Sequence, residues 1–238
     1  MHLRGLLDLL YPRRCGGCGA EAPSASHNLC WECRSDIMPV HPPYCAHCGD
    51  PVAGRIDHDY ICHFCSTVDP AFDLARSAAH YSGPLAEMLK ALKYHRATWL
   101  APDLAELLEP LVQQHVGLEH IDAVTFVPLH RRRQRHREFN QSALIARELA
   151  RRLGKRYMNG ILVRHRETES QTRLTASERM INVRGSFKCR NSSWIEGRRL
   201  LLVDDVMTTG ATVSECAKTL KESGAGAVYV VTVARGVK

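Results

Sequence analysis

The chain has 238 residues, 45% of them hydrophobic and 24% charged, with 10 cysteines and a formal net charge of +7. A chain of this length and composition can bury its own core without disulfide bonds. The composition therefore predicts a soluble, non-secreted, mildly basic protein. The apolar runs fall far short of the roughly 18 residues that a membrane span requires, so we expect no membrane insertion. The apolar start at residues 3–10 is too short for a signal peptide, and we therefore expect a cytoplasmic protein.

The N-terminal segment contains a repeated cysteine motif. Eight of the ten cysteines lie between residues 15 and 65 and form four Cys-x-x-Cys pairs. Two such pairs supply the four thiolates of a tetrahedral zinc site, which leaves no open position for catalysis and therefore indicates a structural role. Disulfide bonds are the main alternative, and they are disfavoured in a chain without an export signal.

A glycine follows the second cysteine of the first and third pairs, at Gly19 and Gly49. The turn at such a pair needs a positive φ, which glycine adopts readily. This regularity favours two sequential sites, and a cross-braced arrangement stays open as the alternative. The proposed zinc ligands are Cys15, Cys18, Cys30 and Cys33 in the first site and Cys45, Cys48, Cys62 and Cys65 in the second.

The composition changes near residue 70, where the cysteine-rich segment gives way to alternating strands and helices. We place a domain boundary there, with a double zinc-ribbon module over residues 1–69 and an α/β domain over 70–238. Residues 164–185 are predicted to form a long loop with one helical turn. The alternation predicts a parallel sheet with helices on both faces and a ligand site beyond the carboxyl ends of its strands. Predicted strands lie at 75–81, 123–127, 161–163, 199–203 and 227–234, and predicted helices lie at 84–95, 98–116, 141–153 and 212–223.

The segment LLLVDDVMTTGAT, residues 200–212, carries the clearest chemical signal. Four apolar residues form a strand, Asp204 and Asp205 follow it, and a small, hydroxyl-rich turn opens a helix. N–H groups at a helix N-terminus favour a phosphate, and adjacent carboxylates can accept hydrogen bonds from two vicinal hydroxyls. Together they predict a site for a ribose 5-phosphate group. The sequence has neither a G-x-x-x-x-G-K-[ST] nor a G-x-G-x-x-G pattern, which excludes a P-loop ATPase and a Rossmann dinucleotide site.

The positive charge is concentrated in residues 131–200, which hold 19 Lys and Arg against 6 Asp and Glu, a net of +13. Part of this charge suits a sugar polyphosphate, whose binding site must be positive. The rest suits nucleic acid, whose phosphates attract clustered Lys and Arg, or a solvated basic surface. Few aromatic residues accompany the charge, so sequence-specific binding of a single strand is not indicated.

Further motifs follow one another in chain order outside the cysteine-rich start and residues 200–212. They are Phe72-Asp73, Leu92-Lys93-Tyr94, Val127-Pro128-Leu129, Phe139-Asn140-Gln141-Ser142, Gln171-x-x-Leu174, Arg179-x-x-Asn182 and Phe187. This series resembles the ComF family of type I phosphoribosyltransferase-like proteins, which includes GntX-like proteins and the competence protein ComFC. The resemblance covers nearly the whole chain. One departure is Glu138, where the family usually has glycine before Phe-Asn-Gln, and we expect the loop there to differ slightly.

The resemblance implies a phosphoribosyltransferase-like domain over residues 70–238 that binds 5-phosphoribosyl 1-pyrophosphate (PRPP) with Mg²⁺. Asp204 and Asp205 would be the catalytic pair that holds the ribose hydroxyls, and the stretch from Arg164 to Arg179 would close over the site. The residues implied to hold the 5-phosphate are Val206, Met207, Thr208, Thr209, Gly210, Ala211 and Thr212. Those implied to lie at the pyrophosphate are Pro128, Leu129, Arg131 and Arg137.

The implied reaction is displacement of pyrophosphate at the anomeric carbon of PRPP, stabilised by arginines and Mg²⁺. The resemblance links the protein to DNA uptake in natural competence or to DNA utilisation, with single-stranded DNA or a DNA-translocating helicase as partners. One alternative is a non-catalytic adaptor that binds DNA or a helicase and senses PRPP. The other is a nucleotide-salvage transferase, which is weaker because only four residues follow the last predicted strand and we expect no base-recognition hood there.

Overall fold

The computed structural model describes residues 14–21, 28–56, 58–167, 176–190 and 192–236. Its strands are β1 (Leu74–His80), β2 (Ala123–Phe126), β3 (Arg156–Tyr157), β4 (Leu162–Arg164), β5 (Phe187–Cys189), β6 (Arg199–Met207) and β7 (Ala227–Arg235). Five of them form a parallel sheet in the order β1-β7-β6-β2-β3, and β4 pairs with β5 in an antiparallel pair. The predicted α/β fold class with a parallel sheet is therefore confirmed.

Helices connect the strands and cover the sheet. They are α1 (Trp31–Ser35), α2 (His63–Val68), α3 (Gly83–Tyr94), α4 (Ala101–His115), α5 (Arg131–Arg137), α6 (Gln141–Leu153), α7 (Ala176–Val183), α8 (Ser192–Ile195) and α9 (Ala211–Glu222). Short 3₁₀ turns lie at Thr98–Leu100 and Leu118–His120. None of the helices in the described part of the chain has the length and apolar character needed to cross a membrane.

Local sequence determines the best-predicted helix, α6. The side chains of Ile145, Leu149 and Leu153 recur every four residues and are buried. The Asn140 side-chain oxygen accepts a hydrogen bond from the backbone N–H of Ser142 at 2.9 Å and so caps the N-terminus of the helix. Gly154, with a φ of 62°, ends the helix in the left-handed conformation, at the predicted helix end.

Strand β6 is longer than predicted, and the helix expected at residues 98–116 starts later. Pairing with β7 continues past residue 203 through Asp204 and Met207, so the acidic residues lie within the strand instead of following it. Sheet hydrogen bonds therefore hold the backbone of the acidic pair. Thr98 opens a 3₁₀ turn and does not cap a helix with its side chain, and α4 begins at Ala101.

The polar segments contain more regular structure than predicted. Helix α5 was not predicted, because its seven residues, RRRQRHR, have no apolar periodicity. Helix α7 has eight residues where one helical turn was expected, and β5 forms by pairing with β4. Arg164, expected in a loop, is the last residue of β4. Residues 168–175, which include the predicted motif residues Gln171 and Leu174, lie outside the described residues.

Both faces of the sheet bury apolar residues, and alternate residues of β6 point to opposite sides. Leu201 and Val203 belong to the cluster formed with α3, α4 and α6, whereas Leu200 and Leu202 belong to the cluster formed with α9. Three cysteines of the first set, Cys15, Cys30 and Cys33, pack into the former cluster, and all four of the second set pack into the latter. The two halves of the cysteine-rich segment therefore lie on opposite faces of the sheet.

Candidate functional site

A cleft of about 380 Å³ opens at the carboxyl ends of β2 and β6. These neighbouring parallel strands lead to helices on opposite faces, α6 after β2 and α9 after β6, and such a switch point is where open α/β sheets bind ligands. The polar and charged residues that line the cleft are Tyr81, Lys93, Tyr94, Arg133, Arg137, Gln141, Ser142, Arg164, Arg179, Asp204, Asp205, Thr208 and Thr212.

The two aspartates of β6 form a buried, hydrogen-bonded pair at the floor of the cleft. Oδ1 of Asp204 accepts hydrogen bonds from the Ser142 hydroxyl at 2.8 Å and from the backbone N–H of Asp205 at 3.0 Å. Oδ1 of Asp205 accepts a hydrogen bond from the Gln141 amide at 3.4 Å, and its Oδ2 forms an ion pair with Nζ of Lys93. Helices α3 and α6 thus hold both carboxyl groups in place.

The surroundings separate the pKa values of the two carboxyl groups. Burial, together with the nearby charge of Asp205, raises the pKa of Asp204 above its usual range. Burial acts in the same direction on Asp205, but the Lys93 ammonium and the Gln141 amide outweigh it and lower the pKa of Asp205. Asp205 therefore ionises first, and the pair offers one strong carboxylate acceptor beside a second group that holds a proton more tightly.

The turn from Thr208 to Thr212 leads into the N-terminus of α9. Gly210 has a φ of +86°, and a Cβ atom there would meet the Met207 side chain at 3.0 Å and the Phe64 ring at 3.5 Å. Glycine is therefore required both for the backbone conformation and for the close approach. Glycine at the cap position offers no capping side chain, and the N–H of Ala211, the first residue of α9, donates to the Thr209 hydroxyl at 3.4 Å. The N-terminus of a helix suits an anion such as phosphate.

Cations outnumber carboxylates in the cleft by five to two, an excess of +3. The cations are Lys93, Arg133, Arg137, Arg164 and Arg179. Arg137 donates a hydrogen bond to Oε1 of Gln141 at 3.0 Å and lies over the ring of Tyr94 at 5.3 Å. Arg179 of α7 donates a hydrogen bond to the Thr208 hydroxyl at 2.9 Å, which joins the polar segment before β5 to the turn that opens α9. The excess charge suits a ligand with several negative charges.

The structure brings most of the predicted site residues together. Those that line the cleft are Pro128, Leu129, Arg137, Asp204, Asp205, Val206, Thr208 and Thr212. Met207 is buried at the end of β6, Thr209 is buried in the turn that follows, and Ala211 lines a neighbouring groove next to Phe64. Arg131 does not reach the cleft: it is exposed on the other side of α5, beside Gln134 and Arg135.

Four cations of the cleft were not selected as site residues from the sequence: Lys93, Arg133, Arg164 and Arg179. The strong basic bias of residues 131–200 was the available signal for the three arginines, but it did not distinguish them from sixteen other Lys and Arg in that segment. Arg133 and Arg137 are four residues apart and share one face of α5, so the position of one cleft arginine would have indicated the other. Lys93 was part of a quoted motif without an assigned role.

Glu138, where the family usually has glycine, adopts a backbone conformation that glycine favours. Its φ is +69°, in the left-handed region that glycine favours, and it ends α5. Its carboxylate also forms an ion pair with Arg96 at 2.7 Å. The expected difference in this loop is therefore one of side chain, while the left-handed turn that glycine would provide is retained.

The eight paired cysteines form two compact groups, each made of two consecutive pairs. In each group the four sulfur atoms lie within 4.8 Å of one another. The sulfurs of Cys18 and Cys30 are 3.7 Å apart, and those of Cys48 and Cys62 are 3.6 Å apart. A tetrahedral ion with Zn–S bonds of ~2.3 Å separates its sulfurs by about 3.8 Å, so both donor sets fit zinc. Gly19 and Gly49 have φ values of +77° and +67°, which confirms the predicted turns.

Comparisons with known proteins agree with both parts of the chain. Residues 6–66 match the family model of the double zinc ribbon domain, and residues 140–237 match that of the phosphoribosyl transferase domain. Competence protein F of Haemophilus influenzae is 32% identical over 226 residues, which cover 93% of this chain and 96% of that protein. The chain therefore belongs to the ComF family. It has two zinc-binding sites of four cysteines each, followed by a phosphoribosyl transferase domain.

Other ComF relatives are also similar to this chain over most of its length. The DNA utilization protein YhgH of Escherichia coli is 34% identical over 218 residues, covering 85% of this chain and 94% of that protein. Competence protein ComFC of Bacillus subtilis is 26% identical over 205 residues, covering 84% of this chain and 80% of that protein. Among solved structures, the allosteric regulatory enzyme of purine biosynthesis is 25% identical, with a TM-score of 0.38, covering 57% of this chain and 25% of that one.

Proposed function

We propose that this protein binds PRPP in the cleft between β2 and β6 and acts in DNA uptake or DNA utilisation. The observation that carries the proposal is the convergence, in one cleft, of a buried carboxylate pair, a glycine-containing turn at a helix N-terminus and five cations. These three features match the three parts of PRPP, which are a ribose diol, a 5-phosphate and a pyrophosphate. The names of the ComF relatives support the role in competence and DNA utilisation.

Each part of the cleft has a chemical task in this proposal. The Asp205 carboxylate accepts a hydrogen bond from a ribose hydroxyl, and Asp204 takes the other hydroxyl. The Thr208 and Thr212 hydroxyls and the first N–H groups of α9 bind the 5-phosphate. The arginines bind the pyrophosphate, where negative charge builds as the bond from the anomeric carbon to the pyrophosphate oxygen breaks.

Magnesium is the metal ion that would accompany PRPP. It prefers oxygen ligands in an octahedral arrangement and keeps several waters, so one or two carboxylates are enough. Asp204 and Asp205 are carboxylates in the cleft and fit that chemistry. When bound, the ion would neutralise charge on the pyrophosphate.

Isothermal calorimetry with PRPP and MgCl₂ tests the central claim. We expect binding by the wild type and none by the Asp204→Asn/Asp205→Asn double variant, because the amides offer no charged acceptor for the diol. Glu222→Gln, at the far end of α9, is the matched charge-removing control and should bind as the wild type does. Failure of the wild type to bind PRPP would overturn the proposal. Release of pyrophosphate on addition of candidate acceptors, including single-stranded DNA, separates a transferase from a PRPP sensor.

A second candidate function is a DNA-binding adaptor, and the outer surface of α5 favours it. Arg131 and Arg135 are exposed and face away from the cleft, and the Arg132 side chain is 80% exposed. This charge is not needed for a ligand in the cleft and suits the phosphates of DNA. Changing these three arginines to alanine should reduce the salt dependence of DNA binding by about one phosphate contact per residue. Arg147→Ala, at an exposed position of α6, is the control, and equal losses in both variants would contradict a specific role for α5.

A further inference from the structure

Lys93 is the direct charge partner of the acidic pair. It lies in the last turn of α3, its side chain is only 16% exposed, and its Nζ contacts Oδ2 of Asp205. Among the described residues, that buried oxygen has no hydrogen-bond partner beyond this ion pair. Lys93 thus stands at the position from which an incoming hydroxyl or metal ion would have to approach Asp205.

Other cations of the cleft are engaged differently. Arg137 bonds to the Gln141 amide, and Arg179 bonds to the Thr208 hydroxyl. Arg137 therefore reaches the acidic pair only through Gln141, and Arg179 contacts the turn, whereas Lys93 contacts a carboxylate oxygen directly. The Lys93 ammonium is a compact point charge, so its electrostatic effect on the two carboxylates is like that of a small bound cation.

A buried pair of adjacent carboxylates without a cation would be a candidate for binding a free divalent metal ion. With Lys93 in place, one negative charge is already neutralised inside the protein and one oxygen is already covered. A free metal ion would then have to displace a buried, well-partnered ammonium, which costs far more than displacing water.

We propose that Lys93 is a positioning residue that serves as the built-in cation of the Asp204–Asp205 pair. It covers Oδ2 of Asp205, excludes a free divalent metal ion, and gives up the oxygen only when the ribose diol of PRPP binds. The last step rests on the proposed PRPP site, but the exclusion of free metal does not. In this scheme a divalent ion reaches the cleft with PRPP and not before it.

Manganese binding, followed by electron paramagnetic resonance on the zinc-loaded protein without PRPP, tests the proposal. Wild type should show no tight Mn²⁺ site, and Lys93→Met should bind one Mn²⁺ per chain with an affinity about tenfold higher or more. Lys90→Met is the matched control, because Lys90 lies one turn earlier on α3, is exposed and pairs with Glu87. It should behave as wild type. Adding Asp205→Asn to Lys93→Met should abolish the gained site.

Three outcomes would overturn the proposal. They are a tight Mn²⁺ site in wild type, no gain of affinity in Lys93→Met, and a gain that persists after Asp205→Asn. If Lys93→Met does not fold, thermal unfolding of Asp205→Asn and of the Lys93→Met/Asp205→Asn double variant replaces it. The double variant should unfold at a higher temperature than Asp205→Asn, because it leaves no buried ammonium unpaired. The opposite order would contradict the role of Lys93 as the pair's cation.

Measuring PRPP binding alongside Mn²⁺ binding separates this inference from the proposed function. If wild type fails to bind PRPP while Lys93→Met still gains a Mn²⁺ site that depends on Asp205, the proposed PRPP function fails and the metal-excluding role of Lys93 stands. If wild type binds PRPP but Lys93→Met gains no Mn²⁺ site that depends on Asp205, the proposed PRPP site stands and the proposed role of Lys93 is wrong.

Discussion

The two four-cysteine sites have the same ligands and almost the same spacing, yet they differ in burial and in the elements that they contact. In the first site Cys18 is exposed, whereas the other three cysteines pack into the cluster formed with α3, α4 and α6, and side-chain bonds to α4 add to this contact. The Asn28 amide donates to Asp103 at 2.7 Å, and Arg34 forms an ion pair with Glu106 at 2.8 Å. In the second site all four cysteines are buried, within the cluster that also contains residues of β6 and α9.

The second site is joined to the strand ends that form the cleft. Arg235, the last residue of β7, is 2% exposed and donates hydrogen bonds to the Cys48 carbonyl at 3.1 Å and to Asp50 at 2.6 Å. Arg235 pairs with Met207, the last residue of β6, whose carbonyl accepts a hydrogen bond from Gly236 at 2.9 Å. The Phe64 ring of α2 also lies beside the glycine of the proposed phosphate turn. One zinc site therefore supports that turn, and the other supports helices behind the sheet.

The largest expected effect comes from removing the second zinc site. Cys48→Ser should leave one zinc ion per chain and abolish cooperative folding, because all four ligands of the second site are buried in the cluster that contains β6 and α9 and a structural zinc site contributes on the order of 10 kcal/mol. Metal analysis and thermal unfolding measure this. Cys18→Ser, at the exposed ligand of the first site, is the counterpart. It should also lose one zinc ion, but it should fold and keep its PRPP affinity, and equal damage in both variants would break the comparison.

An intermediate effect is expected at the contact between the second site and the sheet. Arg235→Met removes the guanidinium that bridges Cys48 and Asp50, and it should lower the free energy of unfolding by about 3–5 kcal/mol, the usual loss for one partner of a buried ion pair. PRPP affinity, measured by calorimetry, should fall although Arg235 does not line the cleft. Arg199→Met, which breaks a half-exposed pair with Asp122 at the other end of β6, is the control and should leave PRPP affinity unchanged.

The smallest effect is expected at the edge of the first site. Arg34→Ala removes a surface ion pair with Glu106 whose side chains are 49% and 30% exposed. Solvent screens such pairs, so urea unfolding should show a loss of at most about 1 kcal/mol, and PRPP affinity should not change. A loss comparable with that of Arg235→Met would mean that the first site is as tightly coupled to the sheet as the second.

Several features were determined by sequence alone because they depend on residues close together in the chain. The cysteine spacing predicted two metal sites, and Gly19 and Gly49 indicated their turns and favoured the sequential pairing, which the structure has. The order of apolar strand, acids, hydroxyl-rich turn and helix in residues 200–212 located the cleft. The caps of α6 at Asn140 and Gly154 set its ends. In each case the physical requirement, whether a ligand set, a positive φ or a capped N–H group, is satisfied within a few residues.

Only the tertiary structure decided which distant side chains meet. Lys93 reaches Asp205 because α3 packs on the sheet face beside α6, a contact that no local pattern encodes. Helix α5 has no apolar stripe, so its orientation depends on packing, and packing turned Arg133 and Arg137 inward and Arg131 outward. The same holds for the two zinc sites: their motifs are alike, but the folded chain places the second beside the turn that opens α9 and the first beside helices on the opposite face of the sheet.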